Sequence, residues 1–249
     1  MTEHRAIVTG GSRGIGRAIV ERLVTDGSHV VACGRGPRPD DLSDEVRWVQ
    51  ADVSGSADAE RLVAAATDAL GPVSLLVNNA GVQVERSVLA STDDDWDHVV
   101  GTNCRGVFNM CRAVLARMTE TGGVIVNIGS ISGVVADPSM ALYNASKAFV
   151  HGLTRSIAVD HGPRVRCNTV QPGWIRTGMA DDAFALAHDP EAARHDAVAR
   201  HPAGRLGLPT DIASTVAWLA SDEASFVTGQ SFTIDGGLTA ASPLNPGLF

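Results

Sequence analysis

Tyr143 and Lys147 are the only tyrosine and the only lysine in the 249 residues; every other long basic side chain is arginine. Four residues apart on a helix, the two lie on one face. An ammonium beside a phenol favours the phenolate, so the pair is expected to lower the phenol pKa from its reference value of about 10. That gives a proton donor and acceptor usable near neutral pH. Arginine would supply the charge but is bulkier, and it cannot pass a proton on. The bland alternative is a surface tyrosine resting on a lysine stem.

Such a pair needs a scaffold to aim it. Short apolar runs alternate with helical patterns along the whole chain, the signature of a parallel sheet covered by helices on both faces. Strands are predicted near 5–9, 29–33, 46–50, 73–78, 123–129, 165–170 and 231–234. Helices are predicted near 14–26, 56–70, 94–118, 143–161 and 209–220. Ser91-Thr92 ahead of Asp93, Asp94 and Asp95 reads as a capped helix start, and Pro209 with Asp211 as another. The expectation is one α/β domain over 1–249, a doubly wound Rossmann-type fold with a seven-stranded parallel sheet. Between about 176 and 208 the pattern weakens, which reads as an insertion over the sheet edge and a candidate lid.

The first βα junction reads Thr9-Gly10-Gly11-Ser12-Arg13-Gly14-Ile15-Gly16. Glycines at 10, 14 and 16 permit a tight turn and a close approach of backbone to a pyrophosphate at the helix N-terminus. A glycine-rich turn alone is weak, but this one sits between a strand and a helix at the start of a βαβ unit. The second strand ends Cys33-Gly34-Arg35 with no acid to take a ribose 2′-hydroxyl, and Gly34 reads as leaving room. Arg35 and Arg13 can converge on a 2′-phosphate, so NADP(H) is favoured over NAD(H). Asp40 or Asp41 could instead pair with one of these arginines. Asp52 with Val53, after the third strand, suits the adenine amine, or else a turn and helix cap.

These segments resemble the short-chain dehydrogenase/reductase family in its common form of about 250 residues, and in particular carbonyl reductases of the 3-oxoacyl-carrier-protein reductase kind. The resemblance covers nearly the whole chain. It rests on Thr9-Gly10-x-x-x-Gly14-x-Gly16, Asn78-Asn79-Ala80-Gly81, Asn103, Ser130, Tyr143-x-x-x-Lys147 and Pro172-Gly173, in that order. It implies Tyr143 as general acid/base and Lys147 as the residue that lowers its pKa and bonds the nicotinamide ribose. It also implies Ser130 to position and polarise the substrate oxygen, and Asn103 to hold a water linking Lys147 to solvent. Cofactor contacts are implied for Gly10, Ser12, Arg13, Gly14, Ile15, Gly16, Arg35, Asp52 and Val53. Further contacts are implied for Asn79 and Ala80, for Asn78 and Gly81 against adenosine, for Pro172 and Gly173 beside the nicotinamide, and for Ile175 and Thr177 at its carboxamide. A homotetramer packed through helices 94–118 and 143–161 is implied too.

The residues on their own leave alternatives. Ser130 ends a buried strand at the ligand-binding edge, yet it could be a capping serine, with Ser132 a decoy. Asn103 on the apolar stripe Trp96-Val99-Val100-Val107 could be structural. Ile131, Ser132, Val134, Met140, Trp174 and Met179 are candidate pocket walls, and Arg176 or Arg205 could meet an anion. The substrate expected is a neutral or modestly polar ketone or alcohol. An NAD-dependent alcohol or sugar dehydrogenase is the nearest alternative, and a non-catalytic dinucleotide sensor the one from another class.

Formal charge is −8 with no basic run, which argues against nucleic acid and anionic membranes. No apolar run approaches the roughly 18 residues of a membrane span. The chain enters a strand pattern at Arg5-Ala6-Ile7-Val8, so no signal peptide is expected. Cys33, Cys104, Cys111 and Cys167 lack C-x-x-C spacing and read as buried reduced thiols of a cytoplasmic protein. The histidines show no metal-ligand spacing, so no metal is expected. The tail Ser242–Phe249 ends apolar and could cover a pocket or a neighbouring subunit.

Overall fold

The computed structural model describes residues 3–241. The tail from Ser242 onward lies outside the described residues. Seven parallel strands form one sheet: β1 Arg5–Thr9, β2 His29–Gly34, β3 Arg47–Gln50, β4 Leu75–Asn78, β5 Gly123–Ile128, β6 Val165–Pro172 and β7 Ser231–Ile234. Their order is β3-β2-β1-β4-β5-β6-β7. The chain winds outward one way from β1 and then the other way from β4. A crevice therefore opens between the C-terminal ends of β1 and β4, where such sheets bind ligands.

Both sheet faces are covered, so the strands read as continuous apolar runs rather than alternating ones. Ala6 and Val8 of β1 pack towards α1 (Gly14–Thr25) and α8 (Pro209–Ala220). Ile7 between them packs the other way, towards α2 (Ser56–Leu70), α4 (Val107–Thr121) and α5 (Ala141–His161). The seven strands and the α2 and α8 limits match the predicted spans to within two residues.

The predicted helix 94–118 is not continuous. It is α3 (Asp93–Val100), a π-helical turn over Gly101–Gly106, then α4. Thr92 caps α3 in a full capping box with Asp95. The π turn carries Asn103, and π turns cluster at functional sites. The segment read as an insertion holds two short helices, α6 (Gly178–Ala185) and α7 (Pro190–Arg200). They enclose a small apolar cluster of Ala180, Phe184 and Leu206, with Trp174 stacked on Phe184 at 4.9 Å. No helix among the described residues is long and apolar enough to cross a membrane.

One polar network runs through the core. Asn78 Nδ2 donates to Asn127 Oδ1 at 2.8 Å, and Asn127 Nδ2 donates to Thr154 Oγ1 at 2.8 Å. Asn127 and Thr154 are fully buried. This tie joins β4, β5 and α5, and so fixes the helix that carries Tyr143 against the strand that leads into Ser130. Asn127→Ala removes one buried hydrogen bond from each partner and is expected to cost about 3 kcal/mol in urea unfolding. A loss under 0.5 kcal/mol would show that water replaces the amide.

Candidate active site

The crevice at the β1/β4 junction is one continuous cleft of about 350 Å³, within the usual range for small-molecule sites. It is lined by the loops after β1, β2, β3, β4, β5 and β6. Tyr143, Lys147 and Ser130 line it, and so does the glycine loop.

Close packing sets the shape of the glycine loop. Gly10 and Gly14 have φ of +66° and +57°, the left-handed region where glycine is favoured. A Cβ on Gly16 would lie 2.2 Å from the Gly10 carbonyl oxygen, and one on Gly10 would lie 2.9 Å from Ala80 Cα. Asn79 braces the turn, its Nδ2 donating to Thr9 O at 2.9 Å and Gly10 O at 3.1 Å. The cradle is thus open to a pyrophosphate only because its own backbone carries no side chains there, and it fits a dinucleotide at the N-terminus of α1.

All but one of the residues predicted to touch the cofactor line this cleft: Gly10, Ser12, Arg13, Gly14, Ile15, Gly16, Arg35, Asp52, Val53, Asn79, Ala80, Gly81, Tyr143, Lys147, Pro172, Gly173, Ile175 and Thr177. Asn78, expected against adenosine, does not line it; its amide faces the core, held by Asn127 and Cys111 Sγ. Arg13 and Arg35 are exposed on the cleft, and among the described residues neither forms an ion pair. Asp41, a possible partner, is taken by Arg17 at 2.8 Å. Gly34 is small for a reason the sequence hid: a Cβ there would meet Trp48 at 2.9 Å. Asp52 accepts from Ser54 Oγ at 2.7 Å and Ser54 N at 3.0 Å, so it shapes a turn while facing the cleft. Thr177 caps α6 and touches the space above Gly14.

At the reactive end, Lys147 is buried, and its Nζ donates to Ile128 O at 3.0 Å. Nζ lies 5.4 Å from the Tyr143 ring centroid. The expected lowering of the phenol does not occur in the chain alone. Crowding by protein pushes Tyr143 up to about 12; Ser130 pulls it down and Asp137 raises it further. Burial instead brings Lys147 down to about 8. The desolvation of both groups outweighs their mutual effect.

Ser130 is buried just past β5, and Ser132 is buried with it. Ser132 is no decoy. Its amide donates to Ser130 Oγ at 3.1 Å, the two hydroxyls are 3.1 Å apart, and Ser132 Oγ donates to Asp137 Oδ2 at 2.8 Å. Asn103 is buried, and its side chain grips the loop after β4. Oδ1 accepts from Val82 N at 2.9 Å, while Nδ2 donates to Val82 O at 2.8 Å and Ser146 Oγ at 3.0 Å. A Cβ on Gly81 would lie 3.4 Å from Asn103 Oδ1 and 3.6 Å from Lys147 Nζ.

Sequence reasoning missed Asp137, Val82, Gln83, Thr102 and Ala183, which also line the cleft. It missed His151 as well. One turn beyond Lys147, its ring fills the space where side chains on Gly129 and Gly133 would be, at 2.6 and 2.4 Å. Burial lowers it to about 4, so it is a neutral wedge under the Ser130 loop. Position 151 on the Lys147 face of α5 was the available signal. Of the two arginines suggested for an anion, Arg205 is held by Asp211 at 2.7 Å, and Arg176 is exposed outside the cleft. Val134 is exposed and does not line the cleft; Ile131, Ser132, Met140, Trp174 and Met179 do.

Residues 10–239 match the family model described as enoyl-(acyl carrier protein) reductase. An NADP-dependent (R)-specific alcohol dehydrogenase of Lentilactobacillus kefiri is 40% identical over 247 residues, covering 94% of this chain and 96% of its own. A 3-oxoacyl-(acyl-carrier-protein) reductase of Vibrio cholerae is 38% identical over 240 residues, covering 94% and 96%. Among solved structures, ligand-free aldohexose dehydrogenase of Thermoplasma acidophilum superposes with a TM-score of 0.91 at 34% identity, over 96% of this chain and 95% of that one.

The depressed Lys147 makes a signed prediction. Its pKa is about 8 folded and 10.5 in the reference state. From pH 8 to 10.5 the unfolded chain therefore holds more protons at this site, and stability at this site rises with pH. The cysteines, raised by burial, act the other way above pH 9. The readout is thus a difference: wild type should gain stability relative to Lys147→Met as pH goes from 7.5 to 10, by urea unfolding without cofactor. A constant difference would mean that Lys147 keeps its ordinary pKa.

Proposed function

The chain belongs to the short-chain dehydrogenase/reductase family and is an oxidoreductase, and from that premise we propose that it transfers hydride between NADP(H) and a carbonyl or secondary alcohol. The observation that carries this reading is the convergence of Ser130, Tyr143 and Lys147 with the glycine cradle in one cleft. A dinucleotide-sensing protein has no use for that reactive end.

The bound nicotinamide supplies hydride chemistry. The chain's own residues do the rest. The backbone of Gly10, Ser12, Gly14, Ile15 and Gly16 takes the pyrophosphate. Arg13 and Arg35 take the 2′-phosphate, and their lack of ion pairs supports that role. Asp52 and Val53 face adenine, and Asn79, Ala80 and Gly81 flank the adenosine side. Pro172, Gly173, Ile175 and Thr177 hold the carboxamide end, and Lys147 bonds the adjacent ribose. Tyr143 gives its proton to the substrate oxygen in reduction and takes it back in oxidation, and Ser130 holds that oxygen. Lys147 keeps a cation beside the phenol, and Asn103 holds the water that connects Lys147 to solvent. A phenol raised to about 12 is protonated at neutral pH, which suits it as the acid for carbonyl reduction.

The substrate is a neutral or modestly polar ketone or alcohol. Asp137 faces the cleft, and Arg176 and Arg205 do not. The aldohexose dehydrogenase similarity favours a second reading, a sugar dehydrogenase on the same scaffold. Helices α6 and α7 act as the lid over this end. The molecule is a cytoplasmic homotetramer packed through α4 and α5, which expose Phe108 and Phe149.

The test is a panel of 2-butanone, cyclohexanone, acetophenone, ethyl acetoacetate, their alcohols and aldohexoses, followed at 340 nm with both cofactors. Tyr143→Phe is expected to lose about 10³-fold in kcat while still binding NADPH. Retention of most turnover would remove Tyr143 as proton donor. Arg13→Ala and Arg35→Ala should each weaken NADPH about tenfold or more and leave NADH unchanged. A wild-type preference for NADH would overturn the cofactor assignment.

A further inference from the structure

The loop between β5 and α5 holds a directed chain of hydrogen bonds that the family roles above do not use. Asp137 Oδ2 accepts from the Ser132 hydroxyl at 2.8 Å. A carboxylate only accepts, so the Ser132 proton is spoken for. The Ser132 oxygen, 3.1 Å from Ser130 Oγ, can then only accept from Ser130. Ser130 already accepts the Ser132 amide at 3.1 Å. Its proton and one lone pair therefore both point inward, and the second lone pair is what remains on the cleft side, where the Tyr143 phenol also lies against Ser130. The loop is anchored at its far end too, where Asn144 Nδ2 donates to the Asp137 carbonyl at 3.1 Å, one residue after Tyr143.

We propose that Asp137, acting through Ser132, is a positioning residue that orients the Ser130 hydroxyl with its lone pair toward the substrate. A group that meets Ser130 in this arrangement must donate. An alcohol can donate; a carbonyl oxygen cannot, and must first draw the Ser130 proton away from Ser132. The relay therefore weights binding toward the alcohol partner of each ketone/alcohol pair. This rests on the proposed function, in which Ser130 touches the substrate oxygen.

The relay can be broken in two independent places. Ser132→Ala removes the inward acceptor. Asp137→Ala releases the Ser132 proton to donate to Ser130, which reverses the chain. In both variants the Ser130 proton is free to face the cleft. Two further variants keep the direction: Ser132→Thr retains the hydroxyl, and Asp137→Asn retains an oxygen that accepts from Ser132 while losing the charge.

The experiment takes the ketone of the panel that wild type reduces fastest, together with its own alcohol. It measures their inhibition constants in the two non-reacting complexes, ketone on enzyme with NADP⁺ and alcohol on enzyme with NADPH. Binding is read there without chemistry, and cooperative urea unfolding confirms that each variant is folded. The expected result is that Ser132→Ala and Asp137→Ala shift relative affinity toward the ketone by about three- to tenfold, the worth of one neutral hydrogen bond. Ser132→Thr and Asp137→Asn should hold the wild-type ratio. If the ratio stays at the wild-type value in both alanine variants, or both ligands weaken equally, Ser132 and Asp137 are only structural. If Asp137→Asn shifts the ratio as Asp137→Ala does, charge rather than hydrogen-bond direction is at work, and the relay is wrong. If wild type turns over no ketone or alcohol at all, the functional reading fails first and takes this inference with it; turnover with an unshifted ratio fails the inference alone.

Discussion

A lysine ammonium with 6% of its surface exposed, held by a single backbone carbonyl, is the constraint around which this cleft is built. Burying a charge without a counter-charge is unfavourable by several kcal/mol unless the group neutralises. Here the response is visible as a pKa brought down to about 8. The surroundings leave Lys147 little alternative. It sits in the second turn of α5, against the end of β5, with Gly81 beside both it and Asn103. A strand, a helix, a π turn and a glycine loop all meet at this nitrogen. An exposed lysine would cost nothing, but it would not hold its charge at a fixed distance from the phenol and the cofactor cleft.

The same economy of space governs the opposite end of the cleft. Gly16, Gly10 and Ala80 approach so closely that a methyl group at 10 or 16 would overlap backbone. Asn79 fills the gap between the two loops with a side chain that bonds carbonyls of the first loop. The loops after β1 and β4 are therefore one rigid unit, although 69 residues separate Asn79 from Gly10. That rigidity follows from the strand order, which makes β1 and β4 neighbours. Around Ser130 the logic is inverted. Gly129 and Gly133 are small because His151, a neutral ring, occupies their side-chain space from behind.

What could be read from the sequence was what periodicity and spacing encode. Strands buried on both faces announce themselves as apolar runs, and helices by their 3.6-residue stripe, so the sheet and most helix limits were legible. The Tyr143/Lys147 pair was legible because i and i+4 share a face. Its electrostatics were not. Proximity argued for a lowered phenol, whereas desolvation of both groups by the protein packed around them decides the outcome, and that packing is a property of the assembled cleft. The break at Gly101–Gly106 was hidden because a π turn inserts without disturbing the apolar content of the stripe around it. Asn78 was misplaced by one residue's parity. At the end of a strand, successive side chains face opposite ways, so Asn79 meets the glycine loop while Asn78 turns into the core.

The loop from Ser130 to Met140 shows where such reading stops. It has no period, and its working contact spans five residues of irregular backbone, from Ser132 to Asp137. The types alone, two serines and an aspartate near a strand end, are those of any turn. Their meaning comes from donor and acceptor arithmetic once the distances are known. A carboxylate at one end leaves each hydroxyl in the row only one direction in which to point. The orientation of Ser130 is thus fixed by a residue that does not touch it, and the Tyr143 phenol beside it is raised by the same Asp137 charge. One acid at the cleft wall acts on both hydroxyl groups beside Lys147, through a hydrogen-bonded chain on one and through the field on the other.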